Sequence, residues 1–187
     1  IEDPLTHDPA HECCTSRGGV AALDLATGKL LWKQYHIVEE PTLRTGANEM
    51  PRRFGPAGAS TYTPLAIDAK RGVLYASTAE EYGLLDPRGP YSVIAYDLES
   101  GARKWQRQFL PDASARELAC AAAAPTDCRN LFSTGTSVTI VTLAGGKQVL
   151  TVGQKWGFVY GLDPDSNGEE LWRTRVALGG DLGGVMY

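Results

Sequence analysis

Ala22-Leu-Asp-Leu-Ala-Thr-Gly-Lys-Leu-Leu-Trp32 recurs twice along the chain, as Ala95-Tyr-Asp-Leu-Glu-Ser-Gly-Ala-Arg-Lys-Trp105 and as Gly161-Leu-Asp-Pro-Asp-Ser-Asn-Gly-Glu-Glu-Leu-Trp172. Asp24, Gly28 and Trp32 stand four and four residues apart, and Asp97, Gly101 and Trp105 repeat that spacing. Asp163, Gly168 and Trp172 admit one extra residue in the turn. Each copy reads as a hairpin. A β-rich strand ends in Asp, polar turn side chains bond backbone amides, a Gly takes positive φ, and the return strand carries the Trp.

Further strands lead into two of the copies, over residues 72–78 and 148–153, and two more lie upstream over 61–68 and 137–143. Turns at Lys70-Arg-Gly72 and Ala144-Gly-Gly146 join them. A repeated unit of four short antiparallel strands predicts an all-β fold, a β-propeller of four-stranded blades that cover their faces by packing on one another. An open β-sandwich does not account for the repeated Asp-Gly-Trp spacing. The expected organisation is one partial propeller over 1–187: the end of one blade in 1–38, a second in 54–110, a third in 136–176, and the start of the next in 177–187. Propellers close with about four to eight blades, so the remaining blades are expected partners and the chain reads as a piece of a longer protein. Segments 39–53, 81–90 and 111–129 are rich in Pro, Gly and charge, and insertions of this kind on rigid blades are where function is expected.

Bulk properties narrow the classes. The 187 residues are 43% hydrophobic and 21% charged, with a net charge of −4 and acids and bases interspersed. That balance gives no electrostatic case for nucleic acid or an anionic membrane surface. No apolar run approaches the roughly 18 residues of a membrane helix. The four cysteines fall as an adjacent pair, Cys13-Cys14, and as Cys120 and Cys128 around a short loop. Two local pairs suit an oxidising compartment, periplasmic or extracellular, with free core thiols as the other reading.

The blade motif, together with Glu12-Cys-Cys-Thr-Ser-Arg-Gly18, Phe54-Gly-Pro-Ala-Gly-Ala59, Gly153-Gln-Lys-Trp-Gly157 and Thr174-Arg-Val-Ala-Leu-Gly-Gly-Asp-Leu-Gly-Gly-Val185, resembles the propellers of quinoproteins, enzymes that use pyrroloquinoline quinone (PQQ). The resemblance is closest to polyvinyl alcohol dehydrogenase-like members. It implies that Cys13 and Cys14 form a disulfide lying flat against one face of the quinone. Tyr62, where relatives usually carry tryptophan, covers the other face or is a strand residue of the core. It further implies that Lys155 contacts the quinone oxygens and that Arg17 pairs with a PQQ carboxylate, each with a solvent-facing role as the alternative. A metal site built from His11, Cys13 and Cys14 is disfavoured, because neighbouring cysteines in a strand point to opposite faces.

Two departures from the family pattern bear on catalysis. The strand end that usually reads Gly-Thr-Gly-Asn reads Ser77-Thr-Ala-Glu80, which puts Glu80 where a Ca²⁺-binding asparagine is expected. The Asp-Phe-Asp-Phe-Gly segment falls on Leu131-Phe-Ser-Thr-Gly135, which puts Leu131 and Ser133 where carboxylates are expected. A serine has no useful basicity near neutral pH, so either Asp127 or another carboxylate substitutes, or the protein is weakly active or inactive. The implied activity is PQQ-dependent oxidation of an alcohol with electrons passed to a cytochrome or quinone. No Cys-x-x-Cys-His haem motif occurs in the chain, so a cytochrome c acceptor would lie elsewhere. The alternative is a non-catalytic quinoprotein-like propeller acting as a binding scaffold. A sugar-binding propeller rests only on aromatics such as Trp156.

Overall fold

The computed structural model describes residues 11–46, 48–82, 88–111, 114, 121, 129–180 and 183–186. Cys120, Asp127 and Cys128 lie outside them. β1 (Gly19–Leu23) pairs with β2 (Leu30–Tyr35), and β3 (Thr42–Leu43) with β4 (Phe54–Gly55). A four-stranded antiparallel meander follows: β5 (Ala66–Asp68), β6 (Val73–Ser77), β7 (Ser92–Asp97) and β8 (Arg103–Gln108). After a 3₁₀ turn at Arg129–Phe132, a second meander comprises β9 (Thr139–Thr142), β10 (Gln148–Gly153), β11 (Phe158–Asp163) and β12 (Glu169–Arg175). This is an arc of propeller blades. The strand expected over 61–68 forms only from Ala66. Pro64 has no amide for a ladder, and the hydroxyls of Thr61 and Thr63 bond the carbonyl and the hydroxyl of Ser77. Residues 54–55 pair with β3 in a separate ribbon rather than with a blade.

The repeat builds the same object three times. Asp24 Oδ1 accepts from the amide and hydroxyl of Thr27, and Asp97 Oδ1 does the same with Ser100. Asp163 Oδ1 accepts from the Asp165 amide. Gly28, Gly101 and Gly168 close the turns at φ of 70°, 73° and 70°, a region that suits only glycine well. The register then sets each Trp opposite a small residue: Ala22 faces Trp32, Ala95 faces Trp105 and Gly161 faces Trp172. A register shift follows the small residue in every copy.

Each of the first two indoles reaches beyond its own blade. A Cβ on Gly101 would lie 2.6 Å from the Trp32 ring, and one on Gly168 would lie 2.5 Å from Trp105. Each turn glycine is thus the seat for the preceding blade's tryptophan. Both faces of the 66–108 blade are covered as a result. Leu74, Ala76, Ile94 and Tyr96 pack with Val20 and Trp32 of the β1–β2 hairpin. On the alternate positions, Val73, Tyr75, Val93 and Ala95 pack with Leu150, Val152, Tyr160 and Leu162 of the next blade.

A polar clamp ties the same two blades at their outer rim. The Arg71 guanidinium grips Asp165 through two bonds of 2.8 and 2.7 Å, bonds Asp68 at 2.7 Å, and reaches the Gln148 side chain. Asp68 is buried. In the full-length protein, Arg71→Ala is expected to cost about 2 kcal/mol by leaving Asp68 without its charged donor. A thermal midpoint within error of wild type would contradict this.

Candidate cofactor site

Antiparallel pairing places the starts of β1, β5 and β9 and the ends of β6 and β10 at the same end of the blades. Arg17, Cys13, Cys14, Tyr62, Glu80, Leu131, Ser133 and Lys155 all lie on the segments there. A ladder of hydrogen bonds to backbone carbonyls links them from blade to blade. Gly18 N donates to Gly58 O and Gly58 N to Ser16 O, at 2.8 and 2.9 Å. Ala59 N donates to Glu80 O and Ala79 N to Ser60 O, at 2.8 and 2.7 Å. The Thr134 hydroxyl donates to Thr78 O at 2.7 Å, and Lys155 N donates to Ser133 O at 3.0 Å. Such close strand approach needs a bare backbone at Gly58, which sits at φ 105°. A Cβ there would lie 2.5 Å from Glu80 O.

Cys13 and Cys14 form a disulfide across a cis peptide bond. Both are closed to solvent, at 2% and 3% exposure, against Ala57 and Tyr82. The Tyr82 carbonyl touches Cys14 Sγ at 3.2 Å, and the Tyr82 hydroxyl shares a bond with Ser60 Oγ at 2.9 Å. Stacking a flat ring on this plate therefore requires part of that cover to move. The disulfide engages both thiols, so they are not available to share a metal with His11.

Tyr62 is 51% exposed, its hydroxyl donating to Thr134 O at 3.3 Å, and so it is not a core residue. Lys155 is buried to 6% exposure and holds its ammonium 5.9 Å from the centre of the Tyr62 ring. The structure brings these two together as a cation beside an open aromatic face. Ser133 is buried and donates its hydroxyl to Glu80 Oε2 at 2.6 Å. Leu131 is buried with Phe132 and Tyr91. Arg17 turns away: its Nη1 bonds the carbonyls of Val38 and Glu39, both at 3.0 Å, and its guanidinium lies 4.1 Å over the Tyr35 ring. Trp156 is half-buried between Phe132 and Phe158, edge-on to Phe132, and presents no open platform for a sugar.

The residues present suit the charge and shape of an anionic, planar quinone: a buried ammonium, an accessible tyrosine ring and a flat disulfide at one blade end. Calcium is another matter. It takes six to eight oxygens, and among the described residues no three His, Cys, Asp or Glu side chains converge on a metal position. Glu80 alone does not make that site.

His36 is a site-proximal residue that sequence reasoning missed. It is fully buried after β2, with Nδ1 2.8 Å from the Tyr96 hydroxyl and Nε2 2.9 Å from Thr61 Oγ1. Thr61 spends its one proton on Ser77 O. Nε2 therefore carries the imidazole proton and Nδ1 accepts from Tyr96. The Arg103 guanidinium bonds the His36 carbonyl at 2.6 Å. Burial, aided by Arg103, lowers the His36 pKa to about 4. Only a lone histidine beside an isoleucine was visible in the sequence, which carries no such signal.

Comparison with known proteins bears on the family and the fold. The family model for the β-propeller domain of PQQ glucose/ethanol/alcohol dehydrogenases matches residues 6–175. The chain is 38% identical over 178 residues to a polyvinylalcohol dehydrogenase from a Pseudomonas species, covering 94% of this chain and 28% of the relative. It is 35% identical over 188 residues to the polyvinylalcohol dehydrogenase of Sphingopyxis sp. (strain 113P3), covering 96% and 28%. The chain thus spans little more than a quarter of the length of these curated relatives. In fold it is similar to the quinohemoprotein alcohol dehydrogenase of Comamonas testosteroni, with a TM-score of 0.57 and 18% identity over 86% of this chain and 25% of that one. A europium-containing methanol dehydrogenase is similar at a TM-score of 0.53 and 17% identity, over 86% and 30%. With the family model matched along most of its length, the chain belongs to the PQQ-type β-propeller family of glucose, ethanol and alcohol dehydrogenases.

Proposed function

We propose that the full-length protein oxidises an alcohol, of the polyvinyl alcohol type, with PQQ held at the blade ends described above, and passes electrons to a cytochrome or quinone outside this chain. The observation that supports this most is the buried Lys155 ammonium beside the open Tyr62 ring. PQQ, when bound, supplies the two-electron acceptor. Lys155 then holds positive charge where the quinone oxygens gain negative charge, and in a site shielded from water that charge acts strongly. Tyr62 offers one stacking face and the Cys13–Cys14 plate the other. Ser133 has committed its proton to Glu80, so it orients that carboxylate instead of receiving a proton from substrate. Glu80 in turn accepts a hydrogen bond from an alcohol hydroxyl. A disulfide at the site suits a periplasmic or secreted protein. Among the described residues no helix is long and apolar enough to cross a membrane.

The test is reconstitution of the full-length protein with PQQ and calcium, read by quinone absorbance, quenching of tryptophan fluorescence and dye reduction with polyvinyl alcohol. Lys155→Met is expected to weaken PQQ binding about 10- to 100-fold, the value of a hydrogen bond to a charged partner. Cys13→Ser should also lose quinone affinity. A wild-type protein that neither takes up PQQ nor reduces dye would leave the scaffold reading in its place.

A further inference from the structure

His36 joins the two segments that carry the walls of the slot. Its backbone amide donates to Gly18 O at 2.9 Å, at the end of the segment that holds Cys13 and Cys14. Its ring Nε2 donates to Thr61 Oγ1 at 2.9 Å, and Thr61 is the chain neighbour of Tyr62. The same two segments already meet once, where Gly18 N donates to Gly58 O at 2.8 Å. One point of contact leaves a rotation free; His36 supplies the second. The imidazole is itself held from behind. The Tyr96 hydroxyl donates to Nδ1 at 2.8 Å, Arg103 bonds the His36 carbonyl at 2.6 Å, and a Cβ on Gly89 would lie 2.7 Å from that carbonyl oxygen. Fully buried and satisfied at both nitrogens, the ring is a rigid strut.

The segment it braces needs bracing. Residues 60–63 lie outside any regular strand, so side-chain bonds take the place of a ladder. Thr61 Oγ1 donates to Ser77 O at 2.9 Å, and Thr63 Oγ1 meets Ser77 Oγ at 2.7 Å. Tyr62 stands between them with its ring 51% exposed and its hydroxyl on Thr134 O at 3.3 Å. Its backbone is thus fixed through Thr61 and its far end through Thr134, and the ring plane between the two is set. An aromatic face fixed in advance loses less conformational freedom when a flat ring stacks on it.

We propose that His36 is a positioning residue for the cofactor slot, holding the Tyr62 ring through Thr61 at a set distance and angle from the cysteine segment that it ties through Gly18. The assignment rests on the cofactor reading given under Proposed function. His36 touches no cofactor atom; it acts through Tyr62.

Two substitutions separate its two ring bonds. A glutamine amide extends as far as Nε2 and still donates to Thr61, whereas an asparagine amide extends only as far as Nδ1 and keeps Tyr96 while losing Thr61. Full-length wild type, His36→Gln and His36→Asn, each with Tyr62 intact and with Tyr62→Ala, are titrated with PQQ at neutral pH, following tryptophan fluorescence. Thermal midpoints are recorded without cofactor. With Tyr62 intact, His36→Asn is expected to raise the Kd for PQQ about 10-fold, and His36→Gln to stay within about twofold of wild type. In the Tyr62→Ala background the Asn and Gln variants should bind alike, because no ring remains to be positioned. If His36→Asn binds as wild type does, if Asn and Gln lose affinity equally, or if the Asn loss persists without the Tyr62 ring, the role of His36 is overturned while the cofactor reading stands. If wild type takes up no PQQ, the cofactor reading falls and the assignment with it. Should His36→Asn fail to fold, Thr61→Val decides: a loss of affinity confined to the protein with Tyr62 supports the assignment, and any other result overturns it.

Discussion

Trp105→Ala in the full-length protein is expected to lower stability by about 3 kcal/mol, the low end of the range for deleting a large core aromatic, because the indole is partly buried. The indole lies against Tyr75, with ring centres 5.7 Å apart, and covers the turn glycine of the next blade. Its loss opens a void in the cluster shared by two blades. Gly168→Ala attacks the same joint from the other side. It incurs a φ of 70°, worth about 1 kcal/mol or more for a residue with a Cβ, and a methyl 2.5 Å from the Trp105 ring. In the Trp105→Ala background that methyl meets no ring, so only the backbone cost remains. The two changes together should therefore cost clearly less than their sum when thermal midpoints or denaturant midpoints are compared. Strict additivity would sink the claim that these two residues form one joint.

Acidification is expected to remove about 3 kcal/mol of stability through His36. Its folded pKa is lowered to about 4 from an ordinary value near 6.5. The unfolded chain therefore binds a proton first as pH falls. The contribution is complete above about pH 6.5, declines between 6.5 and 4, and is gone below that range, at about 1.4 kcal/mol for each unit of pKa difference. The cause is geometric. A second ring proton on Nδ1 would point at the Tyr96 hydroxyl, which now donates to it, while the Arg103 cation lies close by. His36→Gln removes the titrating group. Its thermal midpoint should fall less steeply than that of wild type between pH 6.5 and 4, whatever the carboxylates contribute to both. Parallel curves would refute the assignment.

The blade hairpins were legible because everything they need is local. Asp, Gly and Trp at fixed spacing specify a turn, a positive φ and a docking side chain within about a dozen residues. The site was legible only where one short segment carried its own signal, as in the adjacent cysteines. Arg17 stood close to them in sequence, yet the chain folds its guanidinium onto the corner formed by residues 37–39, a partner that lies 20 or more residues away. The link from Glu80 to Ser133 spans 53 residues, and the rung between Cys13 and Arg53 joins two blade ends through a ribbon no periodicity announces. Tyr82, packed on the disulfide, stood in a Pro- and Gly-rich insertion with nothing to mark it. These relations are set by how blades abut, and abutment is not written in any one stretch of chain.

The tryptophan seats run in one direction only, each blade's indole onto the following blade's glycine. Gly28 repeats the socket glycine on the first hairpin, and Trp172 repeats the indole on the last blade. Any open run of such blades carries a socket at one end and a plug at the other, and so is complementary to itself. Unlike a two-fold pairing, such a heterologous match adds copies head to tail, and it stops growing only if the accumulated rotation closes a circle. Premature release of a few blades during synthesis would thus leave a species prone to polymerise, and completing the circle within one polypeptide is what removes both ends.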